Sequence, residues 1–158
     1  MTITKTTEEI EIGRKMKDGT IYAGISPETG ESMYVMPQDA SATLQWKTAM
    51  QYAAELDAHG HDDWKIPTIG ELKVLFENRS KIGGFDKSKG HTDKWYWSSE
   101  QAAASEDFAL IQSFDEKNHE TCDDPENWDE RIYDNSVFPV YKEYAVSVRP
   151  VRSGPAPS

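Results

Sequence analysis

The stretch from Asp63 to Leu72 constrains the fold most, because it ends an extended segment and begins a helix in one step. Pro67 disfavours helical geometry at the residue before it, so the chain from Trp64 to Ile66 is predicted to be extended. Thr68 and Glu71 have the spacing of a capping box, in which each side chain bonds the backbone N–H of the other residue. A helix is therefore predicted to begin directly after Thr68. Its apolar face is formed by Leu72, Leu75 and Phe76.

The residues before this motif predict a hairpin and a first helix. Two strands, over 20–25 and 32–36, are separated by the turn sequence Ser-Pro-Glu-Thr-Gly. Apolar residues then recur at helical spacing from 42 to 58, and Asp39 or Ser41 can cap that helix. Gly60 is suited to ending it.

The residues after the motif predict strands at 95–98, 108–114, 132–133 and 144–151. In the last of these, Tyr144, Val146 and Val148 are expected on one half-buried face. Helices followed by a run of strands indicate an α+β fold. We expect residues 1–12 to be a flexible N-terminus, 13–152 to be one domain and 153–158 to be a disordered tail, since the tail is rich in Gly, Pro and Ser.

Net charge separates one part of the chain from the rest. The protein carries a net charge of −11. Residues 100–130, here called the acidic segment, account for −10 of that charge. Such a field repels nucleic acid and attracts basic surfaces, so we expect no direct nucleic-acid binding. A single cysteine and the lack of any apolar run long enough for a signal or a membrane span predict a soluble, cytoplasmic protein. If the protein is encoded by a phage, the virion or the host cell is a further expected location.

Four features in order resemble the Lcl C-terminal domain family, a bacterial and phage domain with few assigned functions. They are the entry hairpin at 18–25, Trp46 and Ala49 in the first helix, the motif at 64–72, and the pair Tyr96–Ser99 and Val148–Arg152. The resemblance implies a C-type-lectin-like fold, with two helices flanking a twisted antiparallel sheet and long loops used for binding. This sequence departs from the family at Pro150, where many members have cysteine, and its stretch 115–131 is longer and more acidic than expected.

The resemblance and the charge together place the predicted binding surface in loops between Lys81 and Lys94 and between Gln112 and Tyr141. The candidate binding residues are Asp115, Glu116, Glu120, Asp123, Asp124, Glu126, Trp128, Asp129 and Tyr133. Clustered carboxylates beside aromatic side chains can dock on an Arg/Lys surface. Ca²⁺ is an alternative occupant, since it takes six to eight oxygen ligands, but no EF-hand spacing is present. We otherwise expect no cofactor and no membrane partner.

Catalytic patterns receive little support from the sequence. Cys122 lies among acidic residues, which disfavour a thiolate, and Ser98 and Ser99 have no His and Asp companions at motif spacing. The run of His59, His61, Asp62 and Asp63 has metal-ligand chemistry but is more typical of an exposed loop. Trp64 and Trp97 are expected to be core residues rather than ligand contacts, and so is Trp95 unless the alternation of faces along its strand turns it outward.

The sequence therefore predicts a non-catalytic binding module that recognises a protein or a glycan through its loops. The alternative is an acidic inhibitor or adaptor, for example one that mimics nucleic acid, which docks on a basic protein surface. An enzyme with an unrecognised site is the weakest alternative.

Overall fold

Six strands and three helices form the part of the chain that the computed structural model describes, residues 10–85, 95–103, 105–114 and 136–157. In chain order they are β1 (Ile21–Ile25), β2 (Ser32–Val35), α1 (Trp46–Glu55), α2 (Ile69–Glu77), α3 (Arg79–Ile82), β3 (Trp95–Gln101), β4 (Phe108–Ser113), β5 (Val137–Tyr141) and β6 (Val151–Gly154). The fold is α+β, as the sequence predicts. No helix within the described residues is long and apolar enough to cross a membrane.

The strands form two antiparallel sheets of three strands, in the orders β1-β2-β6 and β3-β4-β5, rather than one sheet. In the first sheet, Val35 lies opposite Ile21 on β1 and opposite Val151 on β6. In the second, β4 is central, with Ile111 between Trp97 and Phe138. The predicted hairpin and the predicted strand at 108–114 are confirmed.

The final predicted strand, 144–151, is wrong in its bounds because the chain crosses from one sheet to the other there. Val146 and Ser147 form only isolated bridges, and β6 begins at Val151. Tyr144 does not share a buried face with Val146, since it lies in a turn and is exposed. The structure also places Ser153 and Gly154 in β6, although the composition favours a tail from residue 153.

The second sheet is covered on both faces by hydrophobic clusters. Because side chains alternate along a strand, Tyr96 and Leu110 pack in the cluster that contains Leu72 and Leu75 of α2. Trp97 and Ile111 face the opposite way and join the cluster with Ala49 and Ala53 of α1. Trp64 and Trp97 are both buried, which confirms them as core residues, and Trp95 is half-buried.

The first helix begins later than the sequence predicts, at Trp46 rather than near residue 42. Leu44 is bridged to Val146, and the N–H of Ala40 donates to the Val148 carbonyl at 2.9 Å. This extended pairing replaces the first helical turn. The helix is preceded by Gln45, which makes no side-chain cap, and Asp39 bonds elsewhere.

The capping box of α2 is confirmed and extends into a buried network. Thr68 accepts from the Glu71 N–H at 3.1 Å, and Glu71 accepts from the Thr68 N–H at 3.0 Å. The Glu71 carboxylate is fully buried and also accepts from the Ser26 hydroxyl at 2.5 Å and the Lys65 ammonium at 3.1 Å. One carboxylate therefore joins the start of α2 to the turn of the first hairpin.

Candidate functional site

All nine candidate binding residues lie between 115 and 133, outside the described residues. The structure does describe the two points where that stretch joins the scaffold. Phe114 follows β4, and Ser136 precedes β5; the N–H of Ser113 donates to the Ser136 carbonyl at 2.6 Å. The stretch therefore leaves and re-enters the second sheet at adjacent positions.

An aromatic cluster packs the starts of both predicted binding loops together. Phe85 is the last described residue before 86–94, and its ring centroid lies 4.8 Å from that of Phe114. Both rings pack on Tyr96 of β3, at centroid distances of 5.6 and 4.6 Å. The two predicted loops thus begin from one place on the scaffold.

A buried arginine lies directly against this cluster. The guanidinium of Arg149 lies 4.4 Å from the Phe85 ring centroid, and its Nε donates to the Met36 carbonyl at 2.7 Å. Asp39 accepts from Nη1 at 3.4 Å and from the Tyr96 hydroxyl at 2.5 Å. Burial lowers the pKa of Arg149, and the nearby Asp39 carboxylate only partly offsets that effect.

Arg149 is buried where the two predicted loops begin. Its side chain is fully buried, and its Nη2 has no hydrogen-bond partner within the described residues. Gly84 has a φ of 80°, and a Cβ there would meet the Pro37 carbonyl oxygen at 2.7 Å and Nη2 at 3.1 Å. Glycine is therefore needed beside the guanidinium. No local sequence signal predicts this contact.

A second feature, which the sequence did not predict, is an exposed aromatic surface formed by Phe108, Tyr141 and Tyr144, here called the tyrosine platform. Tyr141 and Tyr144 are 49% and 51% exposed. The Tyr141 ring stacks on Phe108 with centroids 4.3 Å apart, and Tyr144 lies 6.1 Å from Tyr141. Aromatic rings with one supported face and one open face are suited to binding.

The turn that carries the platform is fixed by hydrogen bonds to two other segments. The Lys142 N–H donates to the Asp107 carbonyl at 3.1 Å, and the Trp46 N–H donates to the Lys142 carbonyl at 2.9 Å. The Lys142 ammonium donates to Gln101 at 2.6 Å and lies 4.5 Å from the Trp46 ring centroid. The lysine charge is thus held on the scaffold and nearly buried.

The two histidines of the His/Asp run form hydrogen bonds with Asp18, just before β1. The Asp18 carboxylate accepts from His61 Nε2 at 2.8 Å, and the Asp18 carbonyl accepts from His59 Nδ1 at 2.9 Å. Asp63 instead accepts from Arg152 at 2.6 and 3.1 Å. No group of three or more metal-binding side chains is present in the described ranges.

Asp18 is expected to give acid-dependent stability. Burial raises the pKa of Asp18, but hydrogen bonds from His61 and Thr20 outweigh it and lower the pKa to about 2 from 3.8. A lowered pKa contributes stability above pH 3.8 that is lost as the pH falls toward 2. Because Asp18 is partly exposed, we expect wild type to lose only about 1–2 °C more in Tm than Asp18→Asn between pH 4 and pH 2.

Thermal unfolding at pH 5, 4, 3 and 2 measures this difference. Asp62→Asn, a replacement of an exposed aspartate on the neighbouring turn, is the matched control and should follow wild type. Parallel Tm curves for wild type and Asp18→Asn would contradict the expectation.

Comparison with known families gives one match that spans most of the chain. A family model described as the Lcl C-terminal domain matches residues 16–152. The matched range includes Phe85 and Phe114, where the two predicted loops begin, the buried Arg149 and the tyrosine platform. No curated protein matches the chain.

Proposed function

We propose that this chain, which belongs to the Lcl C-terminal domain family, is a non-catalytic binding module with a C-type-lectin-like arrangement of loops. It recognises a protein or a glycan through the loops that begin near Phe85 and Phe114. The two antiparallel sheets and their helices act as the scaffold, and the loops supply the contacts.

The contact between Phe85 and Phe114 is the observation that carries this proposal. Two long connections that begin 4.8 Å apart, measured between ring centroids, can act on the same ligand. Their common base is rigid, because it packs on Tyr96 and on the buried Arg149. A rigid base lowers the entropic cost of ordering loops on binding.

Ser98 and Glu71, two buried polar residues of the described core, have structural partners, which supports a non-catalytic role. The Ser98 hydroxyl, a possible nucleophile by type, donates to the Leu110 carbonyl at 2.7 Å within the second sheet. Glu71 is engaged in the capping network. These groups are fully used in holding the fold together. An enzyme with an unrecognised site therefore remains the weakest alternative.

The charge of the acidic segment favours a second candidate within the binding class. A stretch carrying −10 suits an inhibitor or adaptor that docks on a basic protein. This candidate uses the part of the acidic segment that lies between β4 and β5, so the two candidates differ in the ligand rather than in the surface.

Neutralising three loop carboxylates tests the proposal. Immobilised wild type is expected to retain a specific protein or glycan from an extract of the producing organism at low salt. The variant Asp123→Asn/Asp124→Asn/Asp129→Asn should retain about tenfold less, because rim charges steer and hold the ligand. Mass spectrometry and glycan analysis of the eluate measure the retained amounts.

A triple variant that removes the same charge elsewhere is the matched control: Glu31→Gln/Asp57→Asn/Asp62→Asn replaces three exposed acids on the scaffold. It should retain as much ligand as wild type. Equal retention by the loop variant and the control would overturn the proposed role of the loop.

A further inference from the structure

We infer that the tyrosine platform is a docking surface for an arginine- or lysine-bearing segment of a protein partner. The inference rests on the proposed binding function and names the chemistry of its ligand. Its basis is the combination of open aromatic faces, flanking carboxylates and a sequestered lysine around one fixed turn.

The platform is accessible and has a fixed geometry. Tyr141 and Tyr144 are two of three large hydrophobic side chains that the described residues expose, the third being Ile25 on the other sheet. Phe108 stacks on one face of Tyr141 at a centroid distance of 4.3 Å, and Tyr141 as a whole is 49% exposed. The turn itself is held by Asp107 and Trp46, so little order has to be gained on binding.

The charges beside the platform are negative. Glu106, Asp107 and Glu143 are exposed and lie within two residues of a platform ring in sequence. None of the three has an ion-pair partner within the described ranges. Lys142, the basic residue of the same turn, is directed to Gln101 and Trp46 instead. An incoming cation therefore meets carboxylates without a competing lysine.

A positively charged side chain can interact with both the aromatic rings and the carboxylates of this surface. The face of an aromatic ring attracts a guanidinium or ammonium group, and nearby carboxylates add Coulomb attraction. A neutral sugar would use the rings but would gain nothing from the net charge. An anionic ligand would be repelled by it.

The size of the platform indicates that it receives a segment rather than a whole protein face. Two half-exposed tyrosine rings offer roughly 200 Å² of surface, from a typical 150–250 Å² per aromatic side chain. A stable protein interface needs about 800 Å² from each partner. The platform is therefore expected to hold one or two basic side chains of such a segment.

Binding of a labelled peptide of alternating arginine and glycine, measured by fluorescence anisotropy on the full chain at low salt, tests the inference. Tyr141→Ser/Tyr144→Ser leaves the net charge unchanged and should raise Kd about tenfold, as expected for two exposed cation–π contacts. Ile25→Ser removes an equally exposed apolar side chain and should leave Kd within about twofold. Tyr141→Phe/Tyr144→Phe keeps both ring faces and should bind like wild type.

Three outcomes would overturn the inference. The first is a change of less than about twofold in Tyr141→Ser/Tyr144→Ser, since attraction by the acidic charge alone would then explain binding. The second is no measurable binding of the peptide to wild type at low salt. The third is binding of a neutral probe, maltohexaose, that the serine variant loses while peptide binding persists, which would make the platform a glycan site.

Failure of the platform inference and failure of the proposed loop function give different experimental results. If the platform does not bind basic segments, the serine variant keeps the peptide while the loop-neutralised variant still loses its ligand from the extract. If the loop proposal fails, the loop-neutralised variant keeps that ligand, whatever the peptide measurement shows.

Discussion

Trp97→Ala is expected to lower the free energy of unfolding by about 3–5 kcal/mol, the usual cost of truncating a buried aromatic residue. Trp97 is 0% exposed and packs between the second sheet and the helix α1. Its indole N–H also donates to the Leu44 carbonyl at 2.7 Å, which ties β3 to the extended segment before α1. Truncation removes the packing, leaves a cavity and breaks this tie.

Denaturation in guanidinium chloride measures the loss, with Trp97→Phe as the matched control. Phenylalanine keeps most of the ring volume, and the Leu44 carbonyl still accepts from the Val146 N–H at 3.0 Å. We therefore expect this control to cost only about 1–2 kcal/mol. If the two variants lose the same stability, the cavity is not the main cause. A loss below about 1 kcal/mol for Trp97→Ala would contradict its place in the core.

Asp39→Ala is expected to cost about 3–5 kcal/mol, because it leaves the charge of Arg149 buried without its carboxylate. The Arg149 side chain is fully buried, whereas that of Asp39 is 14% exposed. The substitution also removes an acceptor of the Tyr96 hydroxyl. Since Arg149 packs on Phe85, we expect the base of both predicted loops to be disturbed.

A double variant separates the loss of a charge partner from a general packing defect. Asp39→Ala/Arg149→Met removes both charges and should be more stable than Asp39→Ala by at least about 1 kcal/mol, as apolar replacement of buried ion pairs often is neutral or favourable. Chemical denaturation of wild type, both single variants and the double variant completes the cycle. Additive losses would show that the two residues do not interact.

Several elements were predictable because their signals are local. The capping box needs only the spacing of Thr68 and Glu71, and the first hairpin needs only its turn residues and two apolar strands. The sequence could not predict where α1 begins. Residues 42–44 have a helical pattern by themselves, but Leu44 pairs with Val146, and Ala40 just before them bonds Val148, about a hundred positions away.

The candidate site also has one part that local sequence predicts and one part that it does not. The acidic segment is evident from charge alone, and its nine proposed binding residues stay a prediction. The tyrosine platform was not predicted, because Tyr144 alternates with Val146 and Val148 in the manner of a half-buried strand. Its exposure follows from the turn after β5, which Asp107 and Trp46 hold in place.

The sequence alone determined the family, the α+β class, the boundary between Pro67 and α2, and the concentration of negative charge. Each depends on composition or on residues within a few positions of one another. Only the tertiary structure decided that Arg149 contacts Asp39, 110 positions away, and that Tyr141 stacks on Phe108 while staying half exposed. Contacts of this kind depend on which strands pair and how the sheets pack, and no local pattern in the chain specifies those pairings.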